Sequence, residues 1–123
     1  MTTSMKTQIL VVDDSQAVRD LLQQLLQGAG YQVHTAADGR QALSMMHTYR
    51  IDLAVVDLYL PGLNGYALCT ELQKMTVPVI FISAALGAEE KQCAAALGAA
   101  VCLRKPFHLT DIETAIHQVL HPA

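Results

Sequence analysis

The sequence is poor in charge, and it has no cluster of basic residues beyond the pair Arg104-Lys105. Charged residues make up 15% of the 123 residues, and the formal net charge is −3. Lysines and arginines do not stand together as a phosphate backbone would require, so we predict no direct contact with nucleic acid. No apolar run reaches the roughly 18 residues of a membrane span, and the N-terminal MTTSMKTQ lacks the apolar core of a signal peptide. The sequence therefore predicts a cytoplasmic protein that does not enter a membrane.

Cysteine is also scarce and has no ligand spacing. Cys69, Cys93 and Cys102 are odd in number, and each lies within an apolar pattern. This pattern favours reduced, buried thiols over a disulfide framework or a zinc site. A redox-sensing Cys102 is disfavoured because reactive cysteines need an electropositive, exposed setting.

Strands and helices alternate along the chain. Apolar runs predict five strands, over residues 8–12, 31–36, 51–58, 77–83 and 101–103. Apolar residues at the helical period predict five helices, over residues 15–27, 40–49, 66–75, 89–97 and 110–120. Thr110 and Glu113 have the spacing of a capping box for the last helix. Repeated β-α units imply a parallel sheet with helices on both faces.

Four of the predicted strands end in polar residues. The first strand is followed by Asp13 and Asp14, and the third has Asp57 near its end. The fourth ends in Ser83, and the fifth is followed closely by Lys105. Parallel strands bring these ends to one edge of the sheet, where α/β proteins bind ligands. Three neighbouring carboxylates repel one another unless a cation joins them, and oxygen ligands select Mg²⁺, with Mn²⁺ the other candidate. A carboxylate nucleophile, a divalent cation, a lysine and a hydroxyl are the parts needed for phosphoryl transfer onto aspartate.

Several short motifs, in order and at matching spacing, resemble the receiver domain of two-component response regulators. They are VVDD at 11–14, VVDLYLPGLNG at 55–65, FIS at 81–83 and RKPF at 104–107. The resemblance covers about residues 8–120. We therefore predict a single receiver domain over residues 1–123, either complete or the N-terminal domain of a longer protein.

The resemblance implies both a fold and a function. The fold is a flavodoxin-like, doubly wound, five-stranded parallel sheet in the order 2-1-3-4-5 with five helices. The function is a signalling switch that accepts a phosphoryl group from a histidine kinase or a histidine phosphotransfer protein. Such a domain is no enzyme beyond its own phosphorylation and dephosphorylation. Its downstream protein partner is expected on the face formed by the fourth helix, fifth strand and fifth helix.

The metal ligands are also implied by the resemblance. Asp14 and Asp57 match direct Mg²⁺ ligands, together with the backbone carbonyl of Tyr59. Asp13 matches the acid that holds the ion largely through water. The four residues form the predicted metal site.

The remaining matches concern the phosphoryl group. Asp57 matches the phosphorylated aspartate, Ser83 the hydroxyl residue that binds the phosphoryl group, and Lys105 the lysine that pairs with it. Pro106 matches a proline that follows this lysine through a cis peptide bond. These residues form the predicted catalytic set.

The sequence departs from the receiver pattern in two respects, at Cys102 and at the pair Tyr59 and Ala85. Cys102 stands where receivers usually have the aromatic residue whose rotation reports phosphorylation, so switching by that rotation is not expected. Tyr59 and Ala85 flank the path of the attacking water in receivers. A bulky Tyr59 predicts an acyl phosphate that lasts for minutes or longer.

Two other functions fit part of the pattern. One is a degenerate receiver that binds proteins without being phosphorylated. The other is an aspartate-nucleophile phosphatase of the haloacid dehalogenase kind, which would need a second aspartate where Tyr59 stands. The sequence has no GxxxxGK cradle for ATP, so the phosphoryl donor is expected to be another protein or a small acyl or amide phosphate.

Overall fold

A five-stranded parallel sheet forms the centre of the computed structural model, which describes residues 6–60, 65–84, 87, 92, 95 and 101–121. Its strands are β1 (Gln8–Val12), β2 (Gln32–Ala36), β3 (Leu53–Asp57), β4 (Val79–Ser83) and β5 (Val101–Arg104). They lie in the order β2-β1-β3-β4-β5, and each neighbouring pair is parallel. The predicted flavodoxin-like sheet is therefore confirmed.

Helices cover both faces of this sheet. They are α1 (Gln16–Gly28), α2 (Gly39–Thr48), α3 (Gly65–Lys74) and α4 (Leu109–Leu120). The fourth predicted helix, residues 89–97, lies outside the described residues apart from Gln92 and Ala95. Over the described ranges, no helix combines the length and apolar character needed to cross a bilayer.

Side-chain alternation along the strands divides the core into two layers. Successive strand residues point to opposite faces, so Leu10 and Val12 join the layer under α2 and α3. Ile9 and Val11 join the layer under α1 and α4. All five residues of β3 are buried because both faces of the sheet are covered. The apolar runs of the sequence reflect this double coverage.

Side chains cap the first two helices at their N-termini. The Ser15 hydroxyl accepts a hydrogen bond from the Val18 N–H at 3.3 Å. The Asp38 carboxylate accepts one from the Gln41 N–H at 2.9 Å. Each bond satisfies an N–H that has no partner within the helix.

The start of α4 corrects a prediction from the sequence. Its N-cap is His108, whose N–H donates to the Asp111 carboxylate at 3.0 Å. The predicted capping box of Thr110 and Glu113 is therefore wrong. The helix begins at Leu109, one residue earlier than predicted, which places Asp111 rather than Glu113 at the third helical position.

One helix carries more apolar residues than it buries. The apolar stripe of α1 includes Leu21, Leu22 and Leu26, and the latter two are fully buried. Leu21 remains 53% exposed, although it follows the same period. The neighbouring leucines therefore lie in different environments on one helix.

This difference predicts unequal costs for two adjacent substitutions. Leu22→Ala should lower the free energy of unfolding by about 2–5 kcal/mol because it leaves a cavity in the core. Leu21→Ala should cost less than about 1 kcal/mol because its side chain is half solvated. Urea denaturation followed by circular dichroism measures both values. Equal costs would contradict the burial described here.

Candidate functional site

The parallel register brings the first acidic residues together. Val12 of β1 lies opposite Val56 of β3. The next residues along each strand direction are Asp13 and Asp57, so both carboxylates lie at the same edge of the sheet. The Asp13 N–H also donates to the Ala36 carbonyl of β2 at 3.1 Å, which continues the ladder beyond β1.

The same register brings the remaining two strand ends to this edge. Asp57 lies opposite Ile82, so Ser83 is one residue beyond the acid. Ser83 lies opposite Arg104, and Lys105 follows it. The Lys105 N–H donates to the Ser83 carbonyl at 2.8 Å, which ties the ends of β4 and β5 together.

Three carboxylates form a compact group at this edge. Asp13, Asp14 and Asp57 each offer one oxygen, and the three oxygens lie within 4.8 Å of one another. Asp13 is fully buried and Asp57 is 7% exposed, whereas Asp14 is exposed. This set consists of hard oxygen donors with one open side, which fits a Mg²⁺ ion that keeps several waters. The predicted acidic group is therefore assembled, and its residues fit the metal.

Lys105 lies between two of these carboxylates. Its Nζ is 2.6 Å from Asp13 Oδ2 and 3.2 Å from Asp57 Oδ2. Burial alone would lower the pKa of Lys105, but the hydrogen bond and charge of Asp13, reinforced by those of Asp57, raise it. The lysine is therefore held as an ammonium. Its peptide bond to Pro106 is cis, as the sequence predicted.

The negative charge of Asp57 is unfavourable in the folded protein, although Tyr59 and Lys105 donate hydrogen bonds to its carboxylate. Burial is the main cause that raises its pKa, and the charge of Asp13 adds to the effect. The Tyr59 N–H donates to Asp57 Oδ1 at 3.1 Å, and Lys105 contacts the other oxygen, and both lower the pKa in part. The net direction is upward, so an ionised Asp57 costs folding free energy in the absence of a cation.

Asp13 is held more completely than the other acids. Its Oδ1 accepts the Ser15 N–H at 2.9 Å, while Lys105 contacts Oδ2. The Arg19 side chain donates through Nη1 to the Asp13 backbone carbonyl at 2.8 Å. Arg19 was not singled out from the sequence. The available signal was a lone arginine at the end of the first turn of the helix that follows the acidic pair.

The other predicted site residues lie around this group. Ser83 is fully buried at the end of β4. The Tyr59 side chain is 54% exposed beside Asp57. The use of the Tyr59 carbonyl as a ligand and of the Ser83 hydroxyl as a donor remain predictions, and Ala85 lies outside the described residues.

Cys102 occupies the position of the missing aromatic residue. It lies opposite Phe81 in the sheet and packs against the core layer under α2 and α3. Cys69 and Cys102 are not joined in a disulfide, and Cys93 lies outside the described residues.

An open apolar hollow of about 400 Å³ adjoins the acidic group. It extends from α1 to the segment after β5 and reaches Lys105. Its apolar lining consists of Val18, Leu21, Leu22, Ala84, Pro106 and Phe107. The exposed Leu21 therefore lies beside the candidate site.

A family model described as the response regulator receiver domain matches residues 9–117. The chain belongs to this family. It is therefore the receiver domain of a two-component response regulator, and a regulatory domain by family.

Curated relatives share this receiver region. The chain is 39% identical over 116 residues to a probable transcriptional regulator, ycf27, of Porphyridium aerugineum, covering 94% of this chain and 48% of that protein. It is 36% identical over 118 residues to the alkaline phosphatase synthesis transcriptional regulatory protein PhoP of Bacillus subtilis, covering 94% and 49%. This receiver domain thus spans about half the length of the curated relatives it matches.

Solved structures show the same fold. The chemotaxis protein CheY4 of Vibrio cholerae superposes with a TM-score of 0.89 at 32% identity, covering 94% of this chain and 100% of that one. A CheY-like receiver domain protein of Methanospirillum hungatei gives a TM-score of 0.89 at 27% identity, covering 94% of each chain. Both comparisons agree with the strand order described above.

The prediction of no direct nucleic-acid partner is wrong. The sequence relatives are named as transcriptional regulators, a class of protein that acts on DNA. The low charge is a property of this receiver domain alone, whereas the relatives are about twice as long. The scarcity of basic residues in this domain therefore does not exclude nucleic acid as a partner of proteins in this family.

The raised pKa of Asp57 predicts that a neutral side chain stabilises the metal-free protein. The folded state holds the Asp57 proton more tightly than the unfolded chain, so this stabilisation is present in acid and is lost as pH rises toward the folded pKa. We expect Asp57→Asn to raise the melting temperature at pH 7 by a few degrees. The gain should shrink below about pH 4, where aspartate is protonated in both states.

The control for this prediction is Asp14→Asn, which neutralises an exposed carboxylate of the same group. Its melting temperature should change less than that of Asp57→Asn. Thermal unfolding in the presence of a chelator measures both. A lower melting temperature for Asp57→Asn at pH 7 would contradict the proposed cost of the buried charge.

Proposed function

We propose that this receiver domain is a phosphorylation-dependent signalling switch that accepts a phosphoryl group on Asp57 in a Mg²⁺-dependent reaction. The observation that carries the proposal is the position of Asp57. Its carboxylate ends a buried strand, lies within 4.8 Å of two further carboxylates and is 3.2 Å from the Lys105 ammonium. Each of these groups is needed for phosphoryl transfer to an aspartate, and packing alone requires none of them.

The chemistry assigns Asp57 as the nucleophile. One of its carboxylate oxygens forms a bond to phosphorus as the donor's bond to phosphorus breaks, which leaves an acyl phosphate on the protein. Lys105 offsets the negative charge of the phosphoryl oxygens, and Ser83 donates a hydrogen bond to them. Such reactions depend on positioning and charge neutralisation rather than on further covalent steps.

The metal would be held by Asp13, Asp14, Asp57 and the Tyr59 carbonyl, with Mn²⁺ as a substitute. Bound Mg²⁺ supplies positive charge to the phosphoryl oxygens. Asp13 is already fixed by the Ser15 N–H, and Asp57 by the Tyr59 N–H. The protein therefore supplies two carboxylates whose orientation is set in advance.

A change of charge at Asp57 has a direct route into two strands. Lys105 contacts Asp57 through its side chain and the Ser83 carbonyl through its backbone N–H. We propose that movement of Ser83 and the segment after it transmits the signal. Rotation of an aromatic side chain is not available because Cys102 packs into the core at that position.

The phosphoryl donor in this proposal is a histidine kinase or a histidine phosphotransfer protein in the cytoplasm. A donor that reaches Asp57 would meet the apolar hollow beside Lys105, where exposed Leu21 offers a contact. We propose that the switch controls transcription because the sequence relatives are named as transcriptional regulators.

Two alternatives remain distinct from this switch. A degenerate receiver would bind proteins without phosphorylation, but the acidic group and Lys105 are assembled as the reaction requires. An aspartate-nucleophile phosphatase would need a second acid two residues after Asp57, where Tyr59 stands.

Incubation with acetyl phosphate and Mg²⁺ separates the three functions. The switch predicts an increase of about 80 Da, the mass of one phosphoryl group, in intact-protein mass spectrometry. The adduct should be absent in Asp57→Asn and in excess EDTA. A protein that takes up no phosphoryl group although it binds Mg²⁺ would be the degenerate receiver. Asp57-dependent turnover of p-nitrophenyl phosphate would instead indicate a phosphatase.

The position of Tyr59 predicts a slow loss of the phosphoryl group. Tyr59 is bulky and half-exposed, its N–H donates to Asp57, and its side chain is expected to hinder the attacking water. We expect the phosphorylated protein to last for minutes or longer, and Tyr59→Asn to decay several times faster. Tyr59→Phe, which keeps the bulk, should retain the wild-type lifetime. Decay within seconds that is unchanged in Tyr59→Asn would contradict this prediction.

A further inference from the structure

We propose that Arg19 is a positioning residue for the cation site and acts through the peptide group that joins Asp13 to Asp14. This inference rests on the function proposed above. Arg19 lies at the end of the first turn of α1 and is partly buried. Its Nη1 donates to the Asp13 carbonyl at 2.8 Å. The guanidinium thus contacts the backbone of the acidic pair and not a carboxylate.

The three carboxylates differ in how they are held. The Asp13 carboxylate accepts from a backbone N–H and from Lys105, and the Asp57 carboxylate makes the same two kinds of contact at longer distances. The Asp14 carboxylate is exposed, and no described residue donates a hydrogen bond to it or forms an ion pair with it. It nevertheless lies in the group that could hold a metal ion. Its direction therefore depends on the backbone that carries it.

The backbone before Asp14 is held at two points. The Asp13 N–H donates to the Ala36 carbonyl of β2 at 3.1 Å. The Asp13 carbonyl, which belongs to the peptide group leading into Asp14, accepts from Arg19. Rotation of this peptide group would turn the Cα–Cβ bond of Asp14 away from the other acids. Arg19 therefore fixes the ligand that has no side-chain partner of its own.

Because Arg19 is positively charged, an orienting role and a purely electrostatic effect predict opposite changes in Mg²⁺ affinity when Arg19 is removed. A positive charge near a cation site repels the cation, so its removal should strengthen Mg²⁺ binding if charge were the main effect. Loss of a group that orients a ligand should instead weaken binding, and outer contacts of this kind change metal affinity by about 10–100-fold. The two effects have opposite signs.

The test measures Mg²⁺ affinity by isothermal titration calorimetry of the metal-free protein. We expect Arg19→Gln to weaken Mg²⁺ binding by about tenfold. The matched control is Arg40→Gln, which removes the same charge from an exposed position in the first turn of α2 and should leave the affinity unchanged. Unchanged or tighter binding in Arg19→Gln would overturn the proposal.

A double-mutant cycle tests whether Arg19 acts through Asp14. Asp14→Asn should weaken Mg²⁺ binding by itself. Arg19→Gln should then add little in the Asp14→Asn background, because the ligand that it orients has already been lost. A full tenfold loss in that background would contradict action through Asp14. Melting temperatures without Mg²⁺ show whether each variant is folded.

The remaining outcomes distinguish this inference from the proposed function. If the wild type bound no Mg²⁺, the proposed function itself would fail. If the wild type bound Mg²⁺ and Asp14→Asn weakened it while Arg19→Gln did not, only the role of Arg19 would fail. Should Arg19→Gln not fold, Arg19→Met serves the same test, since it keeps an apolar stem and removes the donor to the Asp13 carbonyl. Weaker binding than in the wild type would then support the proposal, and equal binding would overturn it.

Discussion

The contact of one lysine with two buried aspartates is the interaction on which the site depends. Lys105 Nζ lies 2.6 Å from Asp13 and 3.2 Å from Asp57, and a third carboxylate, that of Asp14, completes the group. One ammonium therefore contacts two of the three carboxylates, and the third has no such partner among the described residues. Burial raises the pKa of Asp57, and the charge and hydrogen bond of Lys105 offset this only in part. A site of this kind gains from either a bound cation or the loss of a charge.

The parallel register places this group of charges at the ends of several strands of the sheet. Residues that end β1, β3, β4 and β5 meet at one edge because each neighbouring pair of strands is aligned there. Lys105 contacts Asp57 through its side chain and Ser83 through its backbone. Lys105 thus links Asp57 to the ends of two further strands.

The sequence predicted the elements better than their boundaries. Apolar runs marked the strands because both faces of a parallel sheet are covered, and the polar residues after them marked the edge where the site lies. The order 2-1-3-4-5 came from the resemblance to receivers, since alternation alone does not fix which strands are neighbours. The helical period of apolar residues also does not determine which of them are buried. In α1, Leu21 lies on the apolar stripe and is exposed. At α4 the cap uses Asp111 rather than Glu113 because the helix begins at Leu109, one residue earlier than predicted.

The sequence by itself determined which residues terminate the strands, because an apolar run and the polar residue that follows it are properties of the local sequence. Only the tertiary structure decided how those residues pair. Lys105 joins Asp13 across 92 positions and Asp57 across 48, and the shorter contact is to Asp13, which the resemblance did not indicate. The hydrogen bond from Arg19 to the Asp13 carbonyl could likewise not be predicted from the sequence. Such contacts depend on the reach of a side chain across the folded backbone, and no local pattern encodes that distance.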